Sequence, residues 1–385
     1  MNLLGLPFLM VVVAVTTGVL AAVWWLWSRW PGRWGFVGRP FGLVAVLLMG
    51  AVLAGTLVNR DFGLYSSFSD VTGDISTPAR VHAQAGAAPT GIVIYTKNWQ
   101  RLGQQAQARG RGLVVRVRFD GATTGITRAG LLYIPAAYFV DRRLPLPVIE
   151  LFAGHPGRPT NYVKQLHIAA VLDREIGARR MPPVVAALPA TYSGRASECV
   201  DAVNGEQDAT YLTRDVPADL RTMFQIPRGR AYGALGYSEG GFCAVNLALH
   251  HPDHYAAAAS LSGYFTAGID TGIGPQSVYR GSRAAVDANS PLWWVSHRHP
   301  RGPALFLMAA AGDRASVKED TGLRLAARHY APRLPLVVTQ LPAGGHNFGT
   351  WSQSLPAALD FLAQHLPAPL APPLHLPLAP LVPVF

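Results

Sequence analysis

At 385 residues the chain can hold one large domain or two small ones with a full core, and its balance of 50% hydrophobic to 14% charged residues points to membrane segments joined to a globular part. The net charge of +11 admits nucleic acid, anionic lipid or acidic polymers as partners. However, the only lysines are Lys97, Lys164 and Lys318, and the arginines are scattered without interleaved aromatics, so no nucleic-acid partner is expected.

Two uncharged apolar segments open the chain, from about Leu4 to Trp27 and from about Phe41 to Val58. Each approaches the ~20 residues a helix needs to cross a bilayer. No basic region precedes the first, so a cleaved signal peptide fits poorly. The connection Ser28–Arg39 carries Arg29, Arg33 and Arg39 with Trp30 and Trp34, which favours the cytoplasmic side and an interfacial setting. A two-pass cell-membrane anchor over residues 1–60 follows, with the remainder extracytoplasmic. Residues 61–107, rich in Gly, Ser, Thr and Ala, read as a spacer within which Ile92–Tyr95 could form a strand.

From about Gly112 short apolar runs alternate with helical stretches, the signature of an α/β sheet, and residues 108–366 read as the catalytic domain. The predicted strands are Leu113–Phe119, Ala129–Ile134, Leu146–Phe152, Val184–Ala187, Ala231–Leu235, Ala257–Ser260, Ala304–Ala309 and Leu336–Gln340. The first two form an antiparallel hairpin, and the later ones, separated by helices, are expected to be parallel. Residues 367–385, dense in Pro, Leu and Ala, cannot continue a helix and read as a tail.

The run Gly236-Tyr237-Ser238-Glu239-Gly240-Gly241 sits between a predicted strand and the helix-forming Phe242–Leu249. A serine there occupies a nucleophile elbow, flanked by glycines because a side chain would collide with strand and helix. A serine hydroxyl needs a base, itself held by a third group. His346, in a glycine loop after the last predicted strand, is placed for the first role; His250, His251, His254, His297, His299 and His329 fall on helix ends or polar loops, where solvation is expected. Asp313 follows the strand Ala304–Ala309 and suits the second role, with Glu319 and Asp320 as rivals near a helix start. Oxyanion donors are expected from the backbone N–H of Glu239 and from the loop after Leu146–Phe152. In that loop Pro156 and Pro159 lack an N–H, which leaves His155 and Gly157. Cys199 and Cys243 occupy no metal or redox spacing, so no metal or cofactor is expected; they form one disulfide in an oxidising compartment or remain two buried thiols.

With these elements in order, the chain resembles the bacterial putative-esterase family, which holds antigen 85-type mycolyltransferases and S-formylglutathione hydrolase-like enzymes. The resemblance covers about Leu113 to Leu366. It rests on the elbow, on Thr210–Pro217 before it, and on Gly344-Gly345-His346 with Trp351 after it. The segment Ser197–Asp201, the membrane hairpin and the run Asn59–Tyr65 are similar to actinobacterial membrane-anchored members, a similarity that implies a Cys199–Cys243 bridge. The resemblance implies an α/β-hydrolase fold and acyl-ester chemistry through an acyl-serine. Glu239 departs from the uncharged residue usual there, and would oppose an oxyanion unless it points into solvent. The mycolyltransferase third member is a glutamate, so Asp313 implies the esterase branch. The expectation is a membrane-anchored extracytoplasmic serine esterase. The alternatives are acyl transfer to an envelope glycolipid and an inactive envelope-binding scaffold.

Overall fold

The computed structural model describes residues 3, 5–27, 29, 32–62 and 91–367, in two units, Met1–Ala83 and Gln84–Phe385. Ser28, Trp30, Pro31, most of the expected spacer (63–90) and the tail from 368 lie outside the described residues.

The first unit is built from the helices Leu6–Trp27 and Gly32–Phe62. Both are long and apolar enough to cross a membrane, and large side chains such as Met10, Trp24, Phe41 and Leu47 face outward. The hydroxyls of Thr16 and Thr56 donate to the carbonyls of Val12 and Val52, at 2.7 and 2.8 Å, so each is satisfied within its own helix. The second helix begins at Gly32, not at Phe41, and runs through Pro40. A proline's fixed φ is helical, so the chain continues with the loss of one backbone bond. The Arg39 guanidinium reaches back to the Trp27 ring, 5.5 Å from its centroid, joining the start of one helix to the end of the other.

The second unit holds a nine-stranded sheet: β1 (Val93–Ile94), β2 (Leu113–Asp120), β3 (Thr127–Ile134), β4 (Val148–Phe152), β5 (Val185–Pro189), β6 (Tyr232–Tyr237), β7 (Tyr255–Leu261), β8 (Ala304–Ala310) and β9 (Leu336–Leu341), in the order β1-β2-β3-β5-β4-β6-β7-β8-β9. The pairs from β1 through β3 to β5 are antiparallel, and every pair from β5 to β9 is parallel. Every residue of β4 to β8 is buried, as continuous apolar runs covered on both faces require. This mostly parallel sheet flanked by helices is the α/β-hydrolase fold.

The ordered domain starts before the expected boundary at 108. The helix Trp99–Gln107 packs Trp99 against Tyr138 and Phe139, at centroid distances of 6.5 and 6.1 Å, so this part of the expected spacer joins the domain's core. The Thr210–Pro217 segment is structural. Asp215 there accepts from the backbone N–H groups of Thr123 and Thr124 at 2.8 and 3.1 Å, and so fastens the β2–β3 turn.

Candidate active site

β6 ends at Tyr237 and the helix Glu239–His250 begins two residues later, leaving Ser238 alone at the bend with φ 56° and ψ −128°. A non-glycine residue there is strained and persists only because its surroundings fix it. The Ser238 N–H donates to the Leu261 carbonyl at 2.9 Å, anchoring the bend to β7. The flanking glycines are steric necessities. A Cβ on Gly236 would strike the Gly240 carbonyl, and one on Gly240 would strike the Phe152 carbonyl.

The loop after β9 brings His346 to this bend. Its Nε2 lies 2.8 Å from Ser238 Oγ and its Nδ1 lies 2.8 Å from Asp313 Oδ2. With a carboxylate on Nδ1, the imidazole proton belongs on that nitrogen and Nε2 is left to accept. Asp313 follows β8 and caps the helix Arg314–Tyr330, its Oδ1 accepting the Ser316 N–H at 3.3 Å while Oδ2 serves the imidazole. Burial alone would raise the Asp313 pKa; the hydrogen bond and charge of His346, together with Ser316, outweigh it and hold the carboxyl below its ordinary value. The His346 loop is itself fixed: Thr350 Oγ1 accepts the Gly345 N–H at 3.1 Å, and Asn347 caps the helix Phe348–Ala363.

Of the two rivals for the acid, Glu319 is engaged elsewhere and Asp320 is buried with its Oδ1 unpartnered among the described residues. Glu319 accepts from the Phe265 N–H at 2.8 Å. Asp320 is buried, and desolvation, followed by the charges of Asp313 and Glu319, pushes its pKa up to about 8. The expectation of solvated histidines fails at two positions: His250 is held between the carbonyls of Asn246 and Ala288, and His254 stacks on Tyr232 at 3.9 Å.

Of the expected oxyanion donors, the N–H groups of Glu239 and His155 have no acceptor among the described residues, whereas Gly157 donates to the Tyr192 hydroxyl at 3.0 Å. Gly157 is thus already engaged. The loop approaches the serine closely, since a Cβ on Gly154 would lie 2.8 Å from Ser238 Cβ. Cys199 and Cys243 are bonded as a disulfide with Cα atoms 5.4 Å apart, joining the loop before Val200 to the elbow helix.

The sequence model of the Putative esterase family matches residues 121–362, most of the sheet and all of these side chains. The chain belongs to that esterase family. A Corynebacterium glutamicum protein described as uncharacterized is 26% identical over 272 residues, 66% of this chain, and the match spans 62% of that protein's length. Among solved structures, a ferulic acid esterase superposes with a TM-score of 0.59 at 18% identity, covering 66% of this chain and 98% of its own. An S-formylglutathione hydrolase from Agrobacterium tumefaciens gives 0.58 at 16%, covering 66% and 96%. A fluorophosphonate-binding serine hydrolase of Staphylococcus aureus gives 0.55 at 18%, covering 66% and 99%. At these identities the likeness establishes the shared fold.

Three residues of this esterase-family site have roles that the sequence left unassigned or misplaced. Tyr192 stacks edge-on against His155, 5.1 Å between centroids, and its hydroxyl also donates to the Gly157 carbonyl at 2.6 Å, so one side chain sets the loop beside the serine. Asp270, after β7, lies within electrostatic reach of His155 and His346. Glu239 does not point into solvent. It is 2% exposed, and its Oε1 accepts from the Ser197 and Glu198 N–H groups at 3.1 and 2.6 Å. The helix turns this side chain inward, toward the disulfide-bonded loop.

Proposed function

We propose that this chain is a serine carboxylic-ester hydrolase anchored in the cell membrane by its N-terminal helices. The observation that carries the reading is the unbroken relay from Asp313 through His346 to Ser238, each contact 2.8 Å long. Ser238 Oγ attacks the ester carbonyl carbon while its proton passes to His346 Nε2. Asp313 fixes the ring and stabilises the imidazolium. The oxyanion is received by the N–H groups of Glu239 and His155, which the fold leaves without acceptors. Collapse breaks the bond to the alcohol oxygen, which takes the proton from Nε2. Water then repeats the sequence on the acyl-serine and releases the acid.

The Arg-bearing connection between the helices favours the cytoplasmic side, which leaves the catalytic domain extracytoplasmic. The Cys199–Cys243 bridge supports the same placement, because such bonds persist in oxidising compartments.

The test is hydrolysis of short- and long-chain p-nitrophenyl esters by the full-length protein in detergent, beside Ser238→Ala. Turnover that disappears in the variant supports the reading, and the chain-length profile defines the acyl group. Equal rates in the two proteins on every ester overturn it. Release of acyl product onto an added glycolipid alcohol, faster than hydrolysis, would move the assignment to acyl transfer.

A further inference from the structure

The residue after the nucleophile starts a chain of buried acidic contacts that the ester-cleaving steps do not use. Glu239 Oε1 holds the Ser197 and Glu198 N–H groups, while its Oε2 is buried without a partner. Glu198 and Cys199 both adopt left-handed backbone, φ 48° and 50°, so this turn is strained and depends on what grips it. The Glu198 carboxylate, fully buried, accepts from the hydroxyls of Tyr279 at 2.5 Å and Tyr264 at 3.0 Å, and from the N–H groups of Gly268 and Asp270. The same Tyr264 hydroxyl lies 3.2 Å from Asp270 Oδ2, so the two carboxylates share its one hydrogen, and Asp270 is within electrostatic reach of His155 and His346.

We infer that Glu239 is a positioning residue with two settings: uncharged, it ties the Ser197–Cys199 turn to the elbow and leaves the oxyanion site intact; ionised, it places a negative charge on the very residue whose N–H receives the oxyanion. The inference rests on the hydrolase reading above. The groups facing Glu239 are Glu198 from the disulfide-bonded turn and Asp270, Tyr264 and Tyr279 from the segment after β7. Two acids and two weak acids surround it, with no cation among them. Burial, then reinforced by the charges of Asp270 and Glu198, pushes its carboxyl up to about 8 against the two backbone N–H bonds.

The experiment is a pH profile of kcat on a p-nitrophenyl ester for the full chain in detergent, with Ser238→Ala subtracted as background. Wild type is expected to lose about tenfold in kcat between pH 7 and pH 9.5, the order of magnitude of one added unit charge near the oxyanion at an effective dielectric near 20. Glu239→Gln keeps the acceptor oxygen and cannot ionise, so its profile is expected to stay flat over that range whatever its plateau. Asp270→Asn, on an exposed loop, supplies a second reading that does not depend on the first variant folding. Removing the acid that opposes ionisation moves the alkaline fall to lower pH. An alkaline limb in Glu239→Gln with the wild-type midpoint, or an Asp270→Asn limb unmoved or shifted upward, overturns the inference. Activity surviving in Ser238→Ala overturns the hydrolase reading instead, so the two failures are distinguishable.

Discussion

The imidazole of His346 stands perpendicular to the indole of Trp351, ring centroids 5.2 Å apart and planes at 87°. Trp351 is buried and in turn stacks on Tyr237 at 4.6 Å, the residue immediately before Ser238. One side chain thereby supports both the His346 ring and the bend at Ser238. Replacing Trp351 with Leu is expected to lower kcat more than it raises KM, because the ring holding His346 is lost while the ester-binding surface is not. Truncation to Ala is expected to cost about 3–5 kcal/mol of stability as well. Steady-state kinetics and denaturant unfolding separate the two effects; a pure KM change in Trp351→Leu would contradict the assignment.

Asp313 both orients His346 and caps a helix, so its two oxygens can be tested apart. Asp313→Asn is expected to reduce kcat by about 10⁴-fold, by favouring the wrong imidazole tautomer, while leaving the melting temperature nearly unchanged because Asn also caps helices. Ser238→Ala is expected to fall further, by up to about 10⁶-fold. An Asp313→Asn enzyme within tenfold of wild type would shift the acid's role to another carboxylate.

Glu150 in β4 is fully buried, receives the Tyr255 hydroxyl at 2.5 Å, and leaves Oε1 unpaired. Desolvation pushes its pKa up to about 8 despite the Tyr255 bond and the Arg221 charge. The folded state then keeps a proton that the unfolded chain releases above its ordinary carboxyl pKa. The contribution of Glu150 to stability is therefore fully present below about pH 4.5 and is lost as pH rises toward 8, at no more than about 1.4 kcal/mol per pH unit. Glu239 and Asp320 act with the same sign. Unfolding of Glu150→Gln between pH 5 and pH 8 is expected to show a shallower slope than wild type; equal slopes would remove Glu150 from the account.

The Cys199–Cys243 bond closes a sequence separation of 44 residues across the elbow helix and the strained turn. Removing it as Cys199→Ala with Cys243→Ala is expected to lower stability by about 3–4 kcal/mol on the chain-entropy estimate. A larger fall in kcat than in folded fraction is also expected, because the turn gripped by Glu239 loses its second attachment. Near-ultraviolet circular dichroism beside turnover measures both; a double variant as stable and as active as wild type would reduce the bridge to an ornament.

The central parallel strands were legible because burial on both faces leaves unbroken apolar runs such as Ala304–Ala310. The elbow was legible because Gly236 and Gly240 announce a turn that tolerates no side chain. What escaped was set by contacts remote in sequence. Tyr192 lies 35 residues from the Gly157 it holds, and no local pattern marks a tyrosine for that duty. The direction of the Glu239 side chain has no local signal, since a residue at a helix start can face either way. Only the packing of the Ser197–Cys199 turn against that helix shows that it faces inward. The order β3-β5-β4, which places an antiparallel strand beside the parallel set, likewise follows from a crossover that local periodicity does not encode.

The tightest tolerances in the site belong to atoms that do no chemistry. Exchanging Ser238 for another small residue removes its hydroxyl and leaves the bend standing. Gly236 admits nothing: one added methyl there meets the backbone of Gly240 rather than a side chain able to swing aside. Drift in this chain is therefore constrained first by volume and only then by reactivity, and a descendant that abandoned ester cleavage would be expected to lose its serine before its glycines.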